Sequence, residues 1–276
     1  MSLPRKWLFR RPGICIPVFF LSLCQGWTRE IPPEATIRAL GGTYLARTFS
    51  HCAGYNQAAL GWLEEGSISL HQAQPFHLPE TGISSLSLSA PLGNGGFGST
   101  LSTYGITGFR HLSAWFSYGL RISPVISAGA GIYLRDRVIR KQGHHPAIGC
   151  AMGLQVRLQE YFTLGIHLRH PVAWPDRASP QSGMPLTLGA GFAYSFFHTA
   201  SCYLDLRFSA DQGAICAGGM EIPLTRWITL MAGFRSRVWT FAGGLLLSRS
   251  RWTLAIAYSF CYENGSTPSC SLAWRW

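Results

Sequence analysis

The sequence predicts an all-β protein: a transmembrane, antiparallel, up-and-down β-barrel of about 14 strands with an N-terminal lumenal or periplasmic plug segment. Apolar and polar residues alternate from about Gly66 onward, with apolar residues mostly at even positions. This alternation continues to Trp276, as expected of a closing strand that is paired on both sides. Only 13% of the residues are charged, against about 25% in soluble domains, while 13% are aromatic and glycines number 31. This composition suits a lipid-facing β surface.

The chain begins with the features of a secretory signal, which we place at residues 1–26. An apolar stretch, 14–23, follows a positive region formed by Arg5, Lys6, Arg10 and Arg11. Pro17 interrupts this stretch, which is shorter than the roughly 20 residues of a spanning helix. The residues around Cys24 also resemble a lipoprotein box, so lipidation of Cys24 is an alternative. An exported chain of a diderm bacterium, with the barrel at residues 66–276, is predicted to reside in the outer membrane.

Residues 27–65 differ in character from the alternating segments after them and have no partner in an even strand count. Residues 40–47 suggest an extended piece, and residues 56–63 a short helix. We predict that this segment is a plug, with Asn56, Ala58 and Leu60 as its candidate residues.

Fourteen segments alternate between apolar and polar residues, and single-chain outer-membrane barrels have an even number of strands. We place them near 66–74, 83–90, 97–104, 112–122, 125–135, 147–158, 161–170, 185–196, 201–210, 214–223, 227–236, 238–248, 252–261 and 268–276. The long connections 75–82, 136–146 and 171–184 then fall on the outer side. The short turns at 94–95, 123–124, 159–160 and 249–250 fall on the inner side. A soluble two-sheet sandwich is the alternative that periodicity leaves open.

Two motifs resemble the N-terminal region of fatty-acid-channel-like barrels, a family that includes the type IX secretion components PorV and PorQ. The first comprises Ala39-Leu40-Gly41-Gly42-Thr43-Tyr44 and Asn56-Gln57-Ala58-Ala59-Leu60, where Gln57 and Ala59 replace the family's proline and glycine. The second runs from Pro91-Leu92-Gly93 through Phe97-Gly98 to Tyr104-Gly105. The resemblance implies a barrel with an internal N-terminal segment. It further implies either passage of small apolar molecules or service in a secretion apparatus.

The net charge is +11, and the basic residues are scattered singly rather than clustered as in nucleic-acid-binding proteins. Alternation places a row of arginines on the lumen side, and these are candidate ligand-binding residues: Arg121, Arg135, Arg157, Arg169, Arg207 and Arg235, with Arg275 on the same parity. Such groups suit a carboxylate or phosphate headgroup, although lining of the wall alone also explains inward charges. We therefore expect transport or binding of an amphipathic, anionic, lipid-like molecule. The alternative is an adaptor in a protein-export machine, docked through loops 136–146 and 171–184.

Catalytic and cofactor motifs are not evident in the sequence. The histidines lie in no recognisable nucleophile motif, so a lipid-modifying enzyme is the least favoured function. The adjacent pair His144-His145 lacks further metal ligands nearby in the sequence. We expect no enzyme activity, no metal and no cofactor. The six cysteines after the signal are expected to be unpaired rather than a disulfide framework: Cys52, Cys150, Cys202, Cys216, Cys261 and Cys270.

Overall fold

A closed barrel of antiparallel strands forms the wall of the molecule. The computed structural model describes residues 34–49, 51–106, 108–174, 184–196, 199–263 and 265–276, which contain fourteen strands. The strands are β1 Ser67–Ala73, β2 Ile83–Leu92, β3 Gly95–Ile106, β4 Phe109–Arg121, β5 Ile126–Ile139, β6 Gly143–Gln159, β7 Phe162–Trp174, β8 Thr187–Phe196, β9 Ala200–Ser209, β10 Gly213–Pro223, β11 Ile228–Arg235, β12 Thr240–Arg249, β13 Trp252–Cys261 and β14 Gly265–Arg275. Each pairs with its sequence neighbours, and β14 closes the ring on β1. The predicted fold class is confirmed.

The connections alternate between two ends of the barrel, and we call the end that carries the C-terminus the inner end. The predicted long connection 75–82 lies at the outer end and contains two short 3-10 turns, Pro75–His77 and Pro79–Thr81. The predicted loop 136–146 is wrong, because β5 continues to Ile139 and β6 begins at Gly143, so that Asp136 pairs with Pro146. Residues 136–146 lack the apolar–polar alternation of the other strands, and the prediction therefore took them for a loop. A hairpin that projects beyond the bilayer is solvated on both faces and needs no apolar face. Of the loop predicted at 171–184, residues 175–183 lie outside the described residues, as do the signal at 1–26 and residues 27–33 of the predicted plug.

The inward and outward faces follow cross-strand pairing rather than residue parity. The predicted phase, with apolar even positions facing outward, is wrong in two strands, β3 and β12. In β3 the odd residue Leu101 is 50% exposed, because its partners Leu86 and Ala114 also face outward. In both hairpins that contain β3, each even-numbered residue pairs with an odd-numbered one. Outward-facing residues are therefore even-numbered in β2 and β4 but odd-numbered in β3. The same happens around β12, where Phe241 is 60% exposed.

The lumen of the barrel is occupied by residues 34–49 and 51–65, which we call the plug. It contains a short helix, α1 Ala35–Ala39, and a 3-10 helix, Gln57–Trp62, and every residue of both is buried. Helix α1 contacts the β11–β14 side of the wall, and the 3-10 helix contacts β2 to β6. The predicted short helix is confirmed, whereas residues 40–47 form turns with no strand pairing. None of the described helices is long and apolar enough to cross a membrane.

Candidate functional site

Asn56 fixes the centre of the plug. Its side chain caps the 3-10 helix by accepting a hydrogen bond from the Ala58 backbone N–H at 3.2 Å. Its amide nitrogen donates to the Leu45 carbonyl at 2.6 Å, joining the two halves of the plug, and lies 3.5 Å from the carbonyl of Ile166 in β7. Ala58 is held from the wall, because Ser127 donates to its carbonyl at 2.6 Å. Asn56 and Ala58 are thus at the point where the plug meets the barrel.

Leu60, the third predicted plug residue, contributes packing rather than hydrogen bonds. It is fully buried and forms an apolar cluster with Cys52 and Ala59, against which Phe49 and Leu63 also pack. Burial raises the pKa of the Cys52 thiol, so this thiol is protonated and unreactive while the plug is in place.

Two buried carboxylates hold the plug at other points. Asp205 of β9 accepts hydrogen bonds from the backbone N–H groups of Tyr44, at 2.7 Å, and Leu45, at 3.1 Å. Glu34 of the plug lies 2.8 Å from Nε2 of His51 and accepts a hydrogen bond from Ser87 of β2 at 3.2 Å. Charge-assisted hydrogen bonds of this kind are about twice as strong as neutral ones. The plug is therefore attached to opposite sides of the wall.

Two of the predicted arginines enclose one aromatic ring of the plug at the inner end. The guanidinium carbons of Arg121 and Arg157 lie 5.1 and 4.1 Å from the centre of the Trp62 ring. Arg121 also donates to the Gly61 carbonyl at 3.3 Å, and Arg157 to the Thr48 hydroxyl at 3.2 Å. Both side chains face the lumen as predicted, and the groups they contact belong to the plug.

The remaining predicted arginines are deeper in the lumen. Arg169 donates to the Gly54 carbonyl of the plug at 3.3 Å, and Arg207 lies with its guanidinium carbon 5.2 Å from the Tyr44 ring. Arg135 of β5 is 4% exposed and interacts electrostatically with His170 of β7. Arg235 of β11 interacts in the same way with Arg38 of the plug. The structure thus places all six on the lumen side, spread around the plug. Their binding of a ligand stays a prediction.

Two positive charges within the plug are buried in different surroundings. Burial, with the nearby charge of Arg235, lowers the pKa of Arg38 to about 10, which still leaves it protonated at neutral pH. Burial also acts against the charge of Arg47, but Glu221 and Tyr203 together outweigh it, so the pKa of Arg47 is raised. Arg47 donates to Glu221 at 2.6 Å, and the Tyr203 hydroxyl donates to the same carboxylate at 2.9 Å.

Aromatic rings form two groups in the lumen, one on the wall and one on the plug. Trp115 and Tyr133 of neighbouring strands stack with centroids 4.6 Å apart, and His170 lies 5.4 Å from Tyr133. The Arg169 guanidinium connects this wall cluster to the plug, because its carbon is 5.6 Å from the Trp115 ring while it bonds Gly54. On the plug side, the ring of Tyr55 lies 5.4 Å from Tyr44 and 5.6 Å from Phe49. We call these two groups, with Arg169 between them, the aromatic column.

Inward-facing glycines make room for the plug, and sequence reasoning missed them as a group. A Cβ at Gly119 or Gly129 would collide with the backbone of Gln57, and one at Gly233 with the backbone of Leu40 and Gly41. Gly153 and Gly165 are in similar contact with Asn56 and Leu45. The signal was present, because these glycines fall at odd, lumen-side positions of otherwise regular strands.

Potential metal-ligating side chains are scattered over the described part of the chain. No group of three or more His, Cys, Asp or Glu side chains in the described part of the chain could hold a metal ion. His144 contacts Asp136 at 2.7 Å. The six cysteines of the described ranges are free thiols.

Comparison with known proteins gives structural likeness alone. No family model and no curated protein matches the chain. The toluene transporter TbuX of Ralstonia pickettii is 14% identical with a TM-score of 0.66, and the match covers 90% of this chain and 98% of TbuX. The Pseudomonas putida toluene transporter TodX is 12% identical with a TM-score of 0.66, and the match covers 90% of this chain and 99% of TodX. A Pseudomonas aeruginosa FadL homologue is 10% identical with a TM-score of 0.61, and the match covers 90% of this chain and 98% of the homologue.

These likenesses show a shared fold across nearly the whole barrel. The chain is an outer-membrane β-barrel. Its fourteen closed strands, with apolar side chains outward and polar side chains inward, meet the requirement that a bilayer places on a spanning sheet. The fatty-acid-channel-like part of the resemblance agrees with the fold of the FadL homologue. The link to PorV and PorQ is tested by none of the comparisons and stays a prediction.

Proposed function

We propose that this barrel is a gated channel that carries small, predominantly apolar molecules across the outer membrane. The observation that supports it most is the lumen, which contains an aromatic column and a plug held by directional polar bonds instead of an open water-filled pore. A molecule that passes must contact aromatic rings once the plug shifts. The structural neighbours named as toluene transporters have the same fold and support an apolar cargo.

The finer part of the proposal concerns a polar or anionic end on the cargo. Arg135 and Arg169 both interact electrostatically with His170, at the wall side of the aromatic column. A carboxylate attached to an apolar body can bind these guanidinium groups while the body stacks on Trp115 and Tyr133. An amphipathic anionic molecule is thus a second class of cargo. No contact in the described residues favours the adaptor function, which stays an alternative.

Uptake by intact cells tests the proposal, because small hydrocarbons cross a simple lipid bilayer unaided. Diderm cells that lack their own hydrocarbon channels would express the full chain, and entry of radiolabelled toluene and of benzoate would be timed. We expect faster entry of toluene than in cells without the chain. Trp115→Ala should lower it, whereas Trp239→Ala, at an exposed tryptophan of an outer turn, should leave it unchanged. Equal entry with and without the chain would refute channel function.

Recognition of an anionic group on the cargo is tested by comparing the entry of benzoate with that of toluene. Arg135→Met should reduce entry of benzoate more than entry of toluene, because both molecules carry the same ring and only benzoate carries a carboxylate. Arg237→Met, in an outer turn, is the matched control. If both cargoes fall equally in Arg135→Met, the carboxylate is not recognised there.

A further inference from the structure

The outer face of the barrel is concave over seven neighbouring strands, β14 and β1 to β6. This groove has a volume of about 1000 Å³. Outward-facing apolar side chains form one belt along it: Leu70, Leu86, Leu101, Leu134, Ile148 and Leu272. They are 38% to 59% exposed, whereas the inward-facing neighbours His71 and Arg135 are 3% and 4% exposed. The groove therefore opens away from the lumen, toward the surroundings of the barrel.

A group of cations lies at the outer end of this groove. Val138 of β5 pairs with Arg110 of β4 on one side and with His144 of β6 on the other, so the three share the outward face. Arg140 follows β5 directly, in the turn, and its backbone N–H donates to the Gly108 carbonyl at 2.8 Å, which keeps it on the same face. The side chains of Arg110, Arg140 and His144 are all exposed.

Fewer negative charges are present around this group. Asp136 is paired with His144 at 2.7 Å. Glu80 is exposed in the β1 to β2 connection, next to β3. Lys141, exposed in the turn after Arg140, adds a further positive charge. Arg110, Arg140 and Lys141 thus outnumber the two carboxylates, and an anion is favoured at this surface.

The outer aromatic girdle is interrupted at the same place. On the remaining strands, from β9 to β13, exposed aromatic residues mark the outer membrane interface, namely Phe208, Trp239, Phe241, Tyr258 and Phe260. Among the described residues of β1 to β6, the exposed aromatics Phe116 and Tyr118 belong to the inner half of β4. In the outer half of these strands, apolar aliphatic side chains and a rung of Gln72, Ser84 and Thr103 replace the girdle.

We propose that this surface binds one molecule of a phosphorylated, acylated glycolipid of the outer leaflet. Its phosphate contacts Arg110 and Arg140, and its acyl chains fill the groove below. Three features together support this proposal. Cations lie at the level of the lipid headgroups, and an apolar groove lies one to two rows of residues below them. The aromatic girdle, which elsewhere lies at this depth of the membrane, is interrupted here. The site lies on the lipid side of the wall and does not depend on transport through the lumen.

Binding of lipid A to the full chain in detergent tests the site. Native mass spectrometry would count bound lipid, and a titration would give its affinity. We expect one tightly held molecule, and an affinity at least about tenfold lower for Arg110→Gln combined with Arg140→Gln, because each cation near an anionic lipid contributes about 1 kcal/mol. Arg237→Gln, another cation of the outer end, is the matched control and should change the affinity little.

Two further arms identify the occupant. Leu101→Trp partly fills the groove and should weaken binding while leaving every charge in place. Dephosphorylated lipid A should bind at least about tenfold less tightly than the phosphorylated form. Equal affinity for the two forms, equal weakening in the Arg237→Gln control, or displacement of the lipid by inorganic phosphate alone would overturn the proposal. A dimer of the chain that occupies the groove in place of lipid would also overturn it. Heat-modifiable migration on gels confirms that each variant is folded.

Discussion

Asn56→Ala should make the plug open more often while leaving the wall intact. The substitution removes the bond from the side chain to the Leu45 carbonyl and the cap on the Ala58 N–H. The Leu45 carbonyl keeps a partner, because Gln155 also donates to it at 3.0 Å. The Ala58 N–H, in contrast, loses the side chain that caps it inside a buried segment. One lost bond and one buried unsatisfied donor cost together about 2 to 3 kcal/mol.

Cys52 supplies a native reporter of this change. Its thiol is fully buried in the plug, and it reacts with a maleimide only when the plug opens. If opening precedes labelling, a loss of about 2 to 3 kcal/mol raises the labelling rate roughly 30- to 150-fold. The rate at each cysteine would be followed by mass spectrometry of the digested, refolded barrel. Cys270 on the exposed outer face is the internal reference, and its rate should not change.

Asn94→Ala is the matched control, because Asn94 is exposed in the inner turn between β2 and β3 and its side chain is outside the plug. It should leave the labelling of Cys52 at the wild-type rate. The reasoning fails if Asn56→Ala changes the Cys52 rate less than about threefold, since the bonds would then contribute under about 0.7 kcal/mol. It also fails if Cys270 accelerates in parallel, because the wall itself would then be loosened.

The same contacts give three other expected outcomes. Asp205→Asn removes the charge from a double acceptor and should raise the same labelling rate about tenfold, with no rise contradicting a role in plug attachment. Gly233→Ala should displace the plug and increase its cleavage by protease, whereas Gly243→Ala, whose nearest neighbour would lie 3.6 Å away, should not; equal cleavage of the two would argue against close packing. A double-mutant cycle of Arg47→Met and Glu221→Gln should give a coupling of at least about 1 kcal/mol in plug opening, and additive effects would exclude a functional ion pair.

The wall was predictable from sequence because successive residues of a membrane-spanning strand face lipid and lumen in turn, so that apolar and polar residues alternate. β14 shows this well: Leu272 faces outward and Ala273 inward, as the alternation of the last residues predicted. Hairpin β5 to β6 shows where the rule ends, because its tip rises into water and loses the apolar signal while remaining paired. Strand β3 shows a second limit. Its phase depends on the length of a turn, which decides parity but leaves the composition of the strand unchanged.

The contacts of the plug could not be read from the sequence. The arginines were correctly placed on the lumen side, but Arg157 meets Thr48 and Trp62 across about a hundred residues of chain. Asp205 binds backbone N–H groups, which every residue carries and which leave no trace in sequence. The glycines opposite the plug, such as Gly129, fall at lumen-side positions of their strands, but the sequence does not show which segment packs against them. Their meaning appears once the segment that packs against them is placed.

The kind of contact between plug and wall bears on gating. The wall is held by continuous backbone pairing around a closed ring, and opening it breaks many bonds together. The plug is held by separate side-chain bonds, such as those of Asn56 and Asp205, each contributing about 0.5 to 3 kcal/mol. Glycine surfaces allow close approach of the plug backbone without interlocking side chains. Such a segment can therefore leave its site without breaking the backbone pairing of the wall, which is what the proposed gating requires.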